Sequence, residues 1–125
     1  MLMANPGLRL VSLDTWDDPG TFEEYQHNLG PEIAAGRVHF YRGPSQESIV
    51  GTCVAPYDGC FIDGGHEEHL VRTDIVKTKA VMLSGKLMAG HDYHSNGGPN
   101  DVARGVLSIG HAVLRPVDSI WAIQL

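Results

Sequence analysis

The chain has 125 residues, of which 42% are apolar and 19% are charged, so its composition is that of one ordinary globular domain rather than of a coiled coil or a disordered protein. Fifteen acidic residues against nine basic ones give a formal charge of −6, which argues against nucleic acid as a partner because phosphate binding needs concentrated Lys and Arg. No apolar run reaches the roughly 20 residues of a membrane helix and no signal-peptide pattern opens the chain, so we expect a cytoplasmic protein with no membrane partner.

The first half of the chain predicts two strands, each followed by a helix. Residues 8–13 alternate apolar and polar side chains and run into a cluster of turn-forming residues, which is typical of a strand and a loop. The spacing of a capping box begins at Thr21, and the glycine and proline after Leu29 are expected to end that helix. Residues 38–41 predict a second strand, and residues 45–52 predict a helix of about two turns.

The second half predicts three strands and two further helices. Residues 57–62 form an apolar run that we interpret as a buried strand with a functional tip, and residues 67–82 carry an apolar stripe with helical spacing. Residues 86–89 predict a short strand, 101–110 a helix and 119–125 a closing strand. This alternation predicts a mostly parallel α/β sheet with helical crossovers.

Acidic residues follow three of the predicted strands. Asp14, Asp63 and Asp92 each stand where a strand gives way to a loop, and ligands of such sheets bind at the carboxyl ends of the strands. Asp63 and Asp92 are accompanied by His66 and His91. If their strands are neighbours, two carboxylates and up to two imidazoles meet, a donor set that suits Mg²⁺, Ca²⁺ or Mn²⁺ better than structural zinc.

These segments resemble one known family. The motifs Asp-Gly-Gly-His at 63–66 and Gly-His-Asp-Tyr at 90–93, with the helix between them, resemble the second half of a class I S-adenosylmethionine-dependent methyltransferase. The metal-associated branch with macrolide-sugar O-methyltransferases and cephalosporin-hydroxylase-like proteins is the most similar. Residues 11–16 resemble that family's second strand and residues 118–121 its closing strand, so the resemblance implies one partial methyltransferase-like domain over 1–125.

The resemblance implies a role for particular residues in binding the cofactor. Asp14 corresponds to the acid that accepts hydrogen bonds from the ribose hydroxyls of S-adenosylmethionine, and the loop with Gly43 and Ser45 corresponds to the adenine region.

The resemblance also implies a catalytic metal site. Asp63 and Asp92, with His91 as an additional ligand, correspond to residues that hold a divalent cation such as Mg²⁺. That cation would orient a small-molecule substrate and acidify the hydroxyl to be methylated. His66 corresponds to the general base, a role that suits an imidazole near neutral pH.

One part of the family pattern has no counterpart. In the family, a first strand and a glycine-rich turn wrap the methionine part of the cofactor. The segment from Met1 to Gly7 is too short to supply a strand, a glycine loop and a helix. We therefore expect an N-terminally truncated Rossmann-like sheet in which two strands lose a shared neighbour. Open strand edges favour association, so we expect a homo-oligomer.

Several motifs support no further activity. His66-Glu67-Glu68-His69 lacks the spacing of the HExxH zinc motif, and Ser84-Gly85-Lys86-Leu87 lacks the glycine and hydroxyl residue of a P-loop. Cys53 and Cys60 lack CxxC spacing and are interpreted as buried reduced thiols.

Three hypotheses remain open at this point. The first is a metal-assisted O-methyltransferase domain. The second is a non-catalytic truncated α/β protein that self-assembles or binds a partner through its exposed sheet edges. The third is a protein whose carboxylate and histidine cluster binds a metal and a small oxygen-rich ligand without methyl transfer.

Overall fold

A computed structural model describes residues 5–49, 56–94, 99–114 and 119–125. In these residues no helix is long and apolar enough to cross a membrane. The chain divides into two compact units, an N-terminal unit of residues 1–48 and a C-terminal unit of residues 49–125. Cys53 and Asp118, which the sequence analysis singled out, lie outside the described residues.

The N-terminal unit is built from two parallel strands and two helices. Leu10 pairs with Val38 at one end of the strand pair and Asp14 with Arg42 at the other, so the carboxyl ends of the two strands lie side by side. The elements are β1 (Leu10–Asp14), α1 (Pro19–Ala34), β2 (Val38–Arg42) and α2 (Ser45–Ser48).

An aromatic cluster forms the interior of this unit. Trp16 is 5% exposed, and its ring centroid lies 5.1 Å from that of Phe22 and 5.0 Å from that of Tyr25. Phe40 packs edge-on against all three rings. Such tilted contacts add to the area that aromatic side chains bury, so this cluster attaches the start of α1 to the strand pair.

Helix α1 begins earlier and ends later than the sequence predicted. Its N-cap is Asp18, whose carboxylate accepts hydrogen bonds from the Gly20 amide and the Thr21 hydroxyl, so the predicted capping box at Thr21 is wrong. The helix also continues through Pro31. Beyond the proline, its last turn is held by Arg37, whose amide and guanidinium both bond to Glu32. The chain leaves the helix at Gly36, whose φ is +67°.

The C-terminal unit contains a four-stranded sheet in the order β3-β4-β6-β5. Strands β3 and β4 are parallel and are joined by helix α3, whereas β6 runs antiparallel to both β4 and β5. The elements are β3 (Tyr57–Ile62), α3 (Glu68–Ala80), β4 (Met82–Gly90), α4 (Asp101–Leu107), β5 (Val113–Leu114) and β6 (Trp121–Gln124).

The core of this unit lies between one face of the sheet and helices α3 and α4. Ile75 from α3, Met88 from β4, Val106 from α4 and Ile123 from β6 are all 0% exposed. Trp121 is 1% exposed and joins the same cluster. Burial of these side chains fixes β3, β4 and the helix between them, and with them the loops at the carboxyl ends of the strands.

Some sequence predictions for this unit need correction. Strand β3 is not buried, because only alternate residues face the core and Phe61 is 56% exposed. Strand β5 was not predicted, since two residues carry no periodic signal. The apolar stripe predicted for α3 is only partly buried, because Val76 is 52% exposed, whereas the polar Asp74 is buried.

The fold class is confirmed. The α/β arrangement is Rossmann-like, with parallel pairs among the first four strands and antiparallel pairing at β6. Among the described residues, β1 pairs only with β2, and β3 pairs only with β4.

Candidate active site

Two sequence-predicted acids meet a histidine at one edge of the C-terminal sheet. Asp63 directly follows β3 and Asp92 follows β4, and these two strands are parallel neighbours. His66 lies in the loop that leads from β3 into α3. One potential ligand atom from each of the three residues lies within 4.8 Å of the others. The parallel pairing of β3 and β4 therefore brings together Asp63 and Asp92, which are 29 positions apart in the sequence.

Imidazoles surround the Asp92 carboxylate. His66 Nε2 lies 3.0 Å from Asp92 Oδ2, and His91 Nδ1 lies 3.3 Å from Asp92 Oδ1. His94 Nε2 is further from Oδ1, at 3.9 Å. The Asp92 side chain is 29% exposed and that of His66 is 64% exposed, so the cluster faces solvent and is open to a ligand.

The backbone of Asp92 is held in an uncommon conformation. Its φ of +60° lies in the left-handed region, which aspartate tolerates better than most residues. Asn100 bridges this backbone to α4: its amide nitrogen donates to Asp92 O at 2.8 Å, while its oxygen accepts from the Ala103 amide at 2.9 Å. The N-cap of α4 thus fixes the loop that carries Asp92. Asn100 is not among the site residues predicted from the sequence; the signal that could have found it is an Asn directly before a helical run.

The two ring nitrogens of His91 lie close to different side chains. Its Nε2 lies 2.8 Å from Ser119 Oγ, and its Nδ1 lies beside Asp92, so both ring nitrogens have partners in the protein. The cluster of potential ligands in the described residues consists of Asp63, His66 and Asp92, without His91. His91 as a metal ligand stays a prediction, as do the other site assignments.

The donor set of this cluster fits a divalent cation. Two carboxylates and one imidazole supply oxygen and nitrogen ligands, and their exposure leaves room for further ligands from water or substrate. The set contains no thiolate, so it lacks the sulfur ligands typical of structural zinc sites. The residues present therefore fit Mg²⁺ or Mn²⁺.

The cavities of the described residues differ in size and chemistry. A small cavity of about 10 Å³, roughly enough for one water, adjoins the cluster and is lined by Asp63, His66, His91 and Trp121. A larger groove of about 810 Å³ follows the outer side of α3, between Glu68 and Lys77. Its lining is exposed and charged, and it contains none of the three clustered residues, so size alone is a poor guide to the site here.

The predicted cofactor residues lie together in the N-terminal unit. The Gly43 amide donates to Asp14 O at 2.8 Å, which joins the ends of β1 and β2. Asp14 Oδ1 accepts from the Trp16 amide at 3.0 Å. Ser45 is the first residue of α2, and its hydroxyl accepts from the Gln46 side chain. The Asp14 side chain is thus anchored through one oxygen and stands at the strand ends where a ligand of this fold would bind.

An α/β unit with parallel strands, crossover helices and acids at the strand ends defines the nucleotide-binding class of folds to which class I methyltransferases belong. Comparison with known proteins agrees. A family model described as "Methyltransferase domain" matches residues 1–93. The chain therefore belongs to the methyltransferase domain family. The search of curated proteins gives no significant match.

Solved structures show the same fold at low sequence identity. Cofactor-bound Rv0187 from MTB is 18% identical, with a TM-score of 0.72 over 97% of this chain and 63% of its own. The O-methyltransferase from Bacillus cereus, solved in complex with SAH, is 15% identical, with a TM-score of 0.62 over 94% of this chain and 63% of its own. The TDP-rhamnose 3′-O-methyltransferase CalS11 is 15% identical, with a TM-score of 0.66 over 96% of this chain and 59% of its own. The chain thus spans less than two thirds of the length of these three proteins.

Proposed function

We propose that this chain carries the metal and substrate site of an S-adenosylmethionine-dependent O-methyltransferase that acts on the hydroxyl group of a small molecule. The observation that carries this proposal is the convergence of Asp63, His66 and Asp92 at the ends of two parallel strands in a chain of the methyltransferase domain family. O-Methyltransferases among the proteins of the same fold support the choice of oxygen as the acceptor atom.

In this proposal the two carboxylates hold a divalent cation. Asp63 is exposed, and one of its carboxylate oxygens lies within 4.8 Å of one from Asp92, so the two acids supply oxygen ligands from adjacent loops. A bound cation would lower the pKa of the substrate hydroxyl and make it a better nucleophile. His91 supports Asp92 from the side that faces Ser119, an arrangement that orients a ligating carboxylate.

His66 has two possible roles in this site. As the general base, its imidazole accepts the hydroxyl proton while the Asp92 carboxylate, 3.0 Å from Nε2, stabilises the imidazolium that forms. As a metal ligand, it would complete the cluster with Asp63 and Asp92. We assign His66 as the base, because its side chain is 64% exposed and can therefore reach a substrate held at the acids.

In this proposal the cofactor binds at the carboxyl ends of β1 and β2. Asp14 Oδ1 already accepts from the Trp16 amide. Among the described residues Asp14 Oδ2 accepts no hydrogen bond, which leaves it open to the ribose hydroxyls of S-adenosylmethionine. Gly43 and Ser45 stand at the neighbouring strand end and are assigned to the adenine region.

Binding experiments test the proposal directly. Calorimetric titration of the full chain with S-adenosylhomocysteine, with and without Mg²⁺, is expected to show saturable binding. Titration with Mn²⁺ is expected to show one site whose affinity falls at least about tenfold in Asp63→Asn and Asp92→Asn. Asp58→Asn is the matched control, because this aspartate lies on the strand that Asp63 follows but pairs with Lys86, outside the cluster. Flat titrations with both ligands, or equal Mn²⁺ affinity in all three variants, would contradict the proposal.

A second candidate function is assembly through the strand edges. Within the described residues β1 and β3 each have a strand partner on one side only, and unpaired strand edges favour association. We propose that the chain forms a homo-oligomer through such an edge. Analytical ultracentrifugation over a range of concentrations tests this, and a stable monomer at high concentration would exclude self-assembly.

A further inference from the structure

The loop after β1 holds a bulky residue in a conformation that bulky residues rarely adopt. Trp16 has φ of +44°, in the left-handed region. This geometry points the Trp16 amide back at the side chain of Asp14, whose Oδ1 accepts from it at 3.0 Å. Conformations of this kind persist only where the surroundings hold them. The position of the Asp14 carboxylate therefore depends on whatever holds this loop.

The Trp16 side chain is held by aromatic packing, and the backbone of the loop is held by Arg42. From the end of β2, its Nε donates to Thr15 O at 3.0 Å and its terminal nitrogen to Trp16 O at 2.7 Å. Arg42 is paired with Asp14 in the strand register, so the guanidinium reaches across from the neighbouring strand. The guanidinium carbon also lies 5.4 Å from the centre of the Phe22 ring. Two charge-assisted bonds from one rigid fork fix two successive carbonyls in a way that a lysine cannot reproduce.

We infer that Arg42 is a positioning residue for cofactor binding: by clamping Thr15 and Trp16, it sets the Asp14 carboxylate toward the two ribose hydroxyls of S-adenosylmethionine. This inference rests on the proposed function, in which Asp14 binds that ribose. Arg42 itself contacts the loop carbonyls rather than the cofactor. Its effect on affinity should therefore be confined to ligands whose ribose carries hydroxyl groups.

Two measurements test this inference, one on the opening of the loop and one on the affinity for the ligand. The first is hydrogen exchange of the Trp16 amide in the unliganded chain. Arg42→Met keeps an unbranched apolar stem but loses both bonds, and it should speed this exchange at least about tenfold, since the amide opens with the loop. Arg42→Lys should have an intermediate effect. Arg9→Met, which alters an exposed arginine of the same unit, is the matched control and should change nothing.

The second measurement compares S-adenosylhomocysteine with its 2′,3′-dideoxyribose analogue. In Arg42→Met, affinity for S-adenosylhomocysteine is expected to fall about tenfold while affinity for the analogue changes less than about twofold, because the lost interaction is with the hydroxyls. The thermal midpoint of each variant is recorded alongside, so that general loss of the fold is seen as such.

The possible results separate cleanly. Unchanged Trp16 exchange in Arg42→Met overturns the inference whether or not the cofactor binds. Faster exchange with equal weakening of both ligands also overturns it, because Arg42 then supports the unit in general. A wild-type chain that does not bind S-adenosylhomocysteine contradicts the proposed function and the ribose part of this inference, while the exchange result still decides whether Arg42 holds the loop.

Discussion

Among the glycines of the C-terminal sheet, Gly90 leaves the least space for a side chain, and it directly precedes the site loop. It ends β4 between two neighbours, pairing with Ile62 of β3 on one side and with Trp121 of β6 on the other. A Cβ added here would lie 2.4 Å from Ile62 O and 2.5 Å from the Trp121 ring. Gly90→Ala therefore forces a backbone carbonyl and a buried indole to move together.

The size of the effect follows from these distances. Ordinary contacts of carbon lie at about 3.5 Å, so both neighbours must retreat by about 1 Å. The ring is 1% exposed and the carbonyl already accepts the His91 amide at 3.1 Å, so neither can move without loss. Overpacking of a tight core costs about 1–3 kcal/mol, and with two rigid neighbours we expect about 3 kcal/mol. The same displacement shifts the backbone of His91 and loosens the Asp92 loop.

Urea unfolding followed by tryptophan fluorescence measures this cost. All variants carry Trp16→Phe, so that the signal reports on Trp121 alone. Gly59→Ala is the control: this glycine lies in the adjacent strand of the same sheet, and its added Cβ would meet only Leu87 O, at 3.8 Å. We expect Gly59→Ala to be neutral or to stabilise by up to about 1 kcal/mol. Equal stability of Gly90→Ala and Gly59→Ala would refute the packing that places Trp121 over the end of β4.

Three further predictions concern single contacts. Asn100→Ser keeps an acceptor for the α4 cap but loses the donor to Asp92 O, so it should weaken Mn²⁺ binding at unchanged stability, whereas Asn100→Ala should also cost about 1 kcal/mol in urea unfolding. Burial raises the pKa of the Cys60 thiol to about 11 from 9.0. The stability that the neutral buried thiol contributes should therefore be intact below pH 9 and decline as the pH rises to 11, and the urea midpoints of Cys60→Ala should lack this decline. The Thr21 hydroxyl, and then the Gly20 amide, lower the pKa of Asp18, so helix α1 should lose this support as the pH falls through acid values, and circular dichroism of Asp18→Asn should show a smaller loss.

The sequence predicted the convergence of Asp63 and Asp92 because that geometry follows from local rules. Each acid ends an apolar run, a helix of clear period lies between the runs, and a crossover of this kind makes the strands parallel. Parallel strands end at the same side of a sheet, so two acids in equivalent places must approach one another. Asn100 escaped notice because its importance lies in its contact with Asp92 O, which no periodic pattern encodes.

The mistakes over α1 have a physical origin as well. A glycine and a proline usually stop a helix, but Arg37 and Glu32 hold one further turn by a hydrogen bond and an ion pair formed beyond Pro31. Both residues lie beyond the expected stop. Local propensity therefore gave the wrong end, because a pairing that forms only in the folded unit outweighed it.

Strand β3 was predicted to be buried but is partly exposed, and this difference does not affect the site at its carboxyl end. A strand that is apolar on both faces is expected where a sheet is covered on both sides, yet Phe61 remains 56% exposed and β3 pairs only with β4 among the described residues. The site at its end does not depend on that cover. Asp63 is held by the β3–β4 pairing, and Asp92 is held by Asn100, so both supports come from the C-terminal unit itself. The metal binding proposed for this cluster should therefore be separable from the cofactor binding proposed at Asp14, and titrations with Mn²⁺ and with S-adenosylhomocysteine can succeed or fail independently.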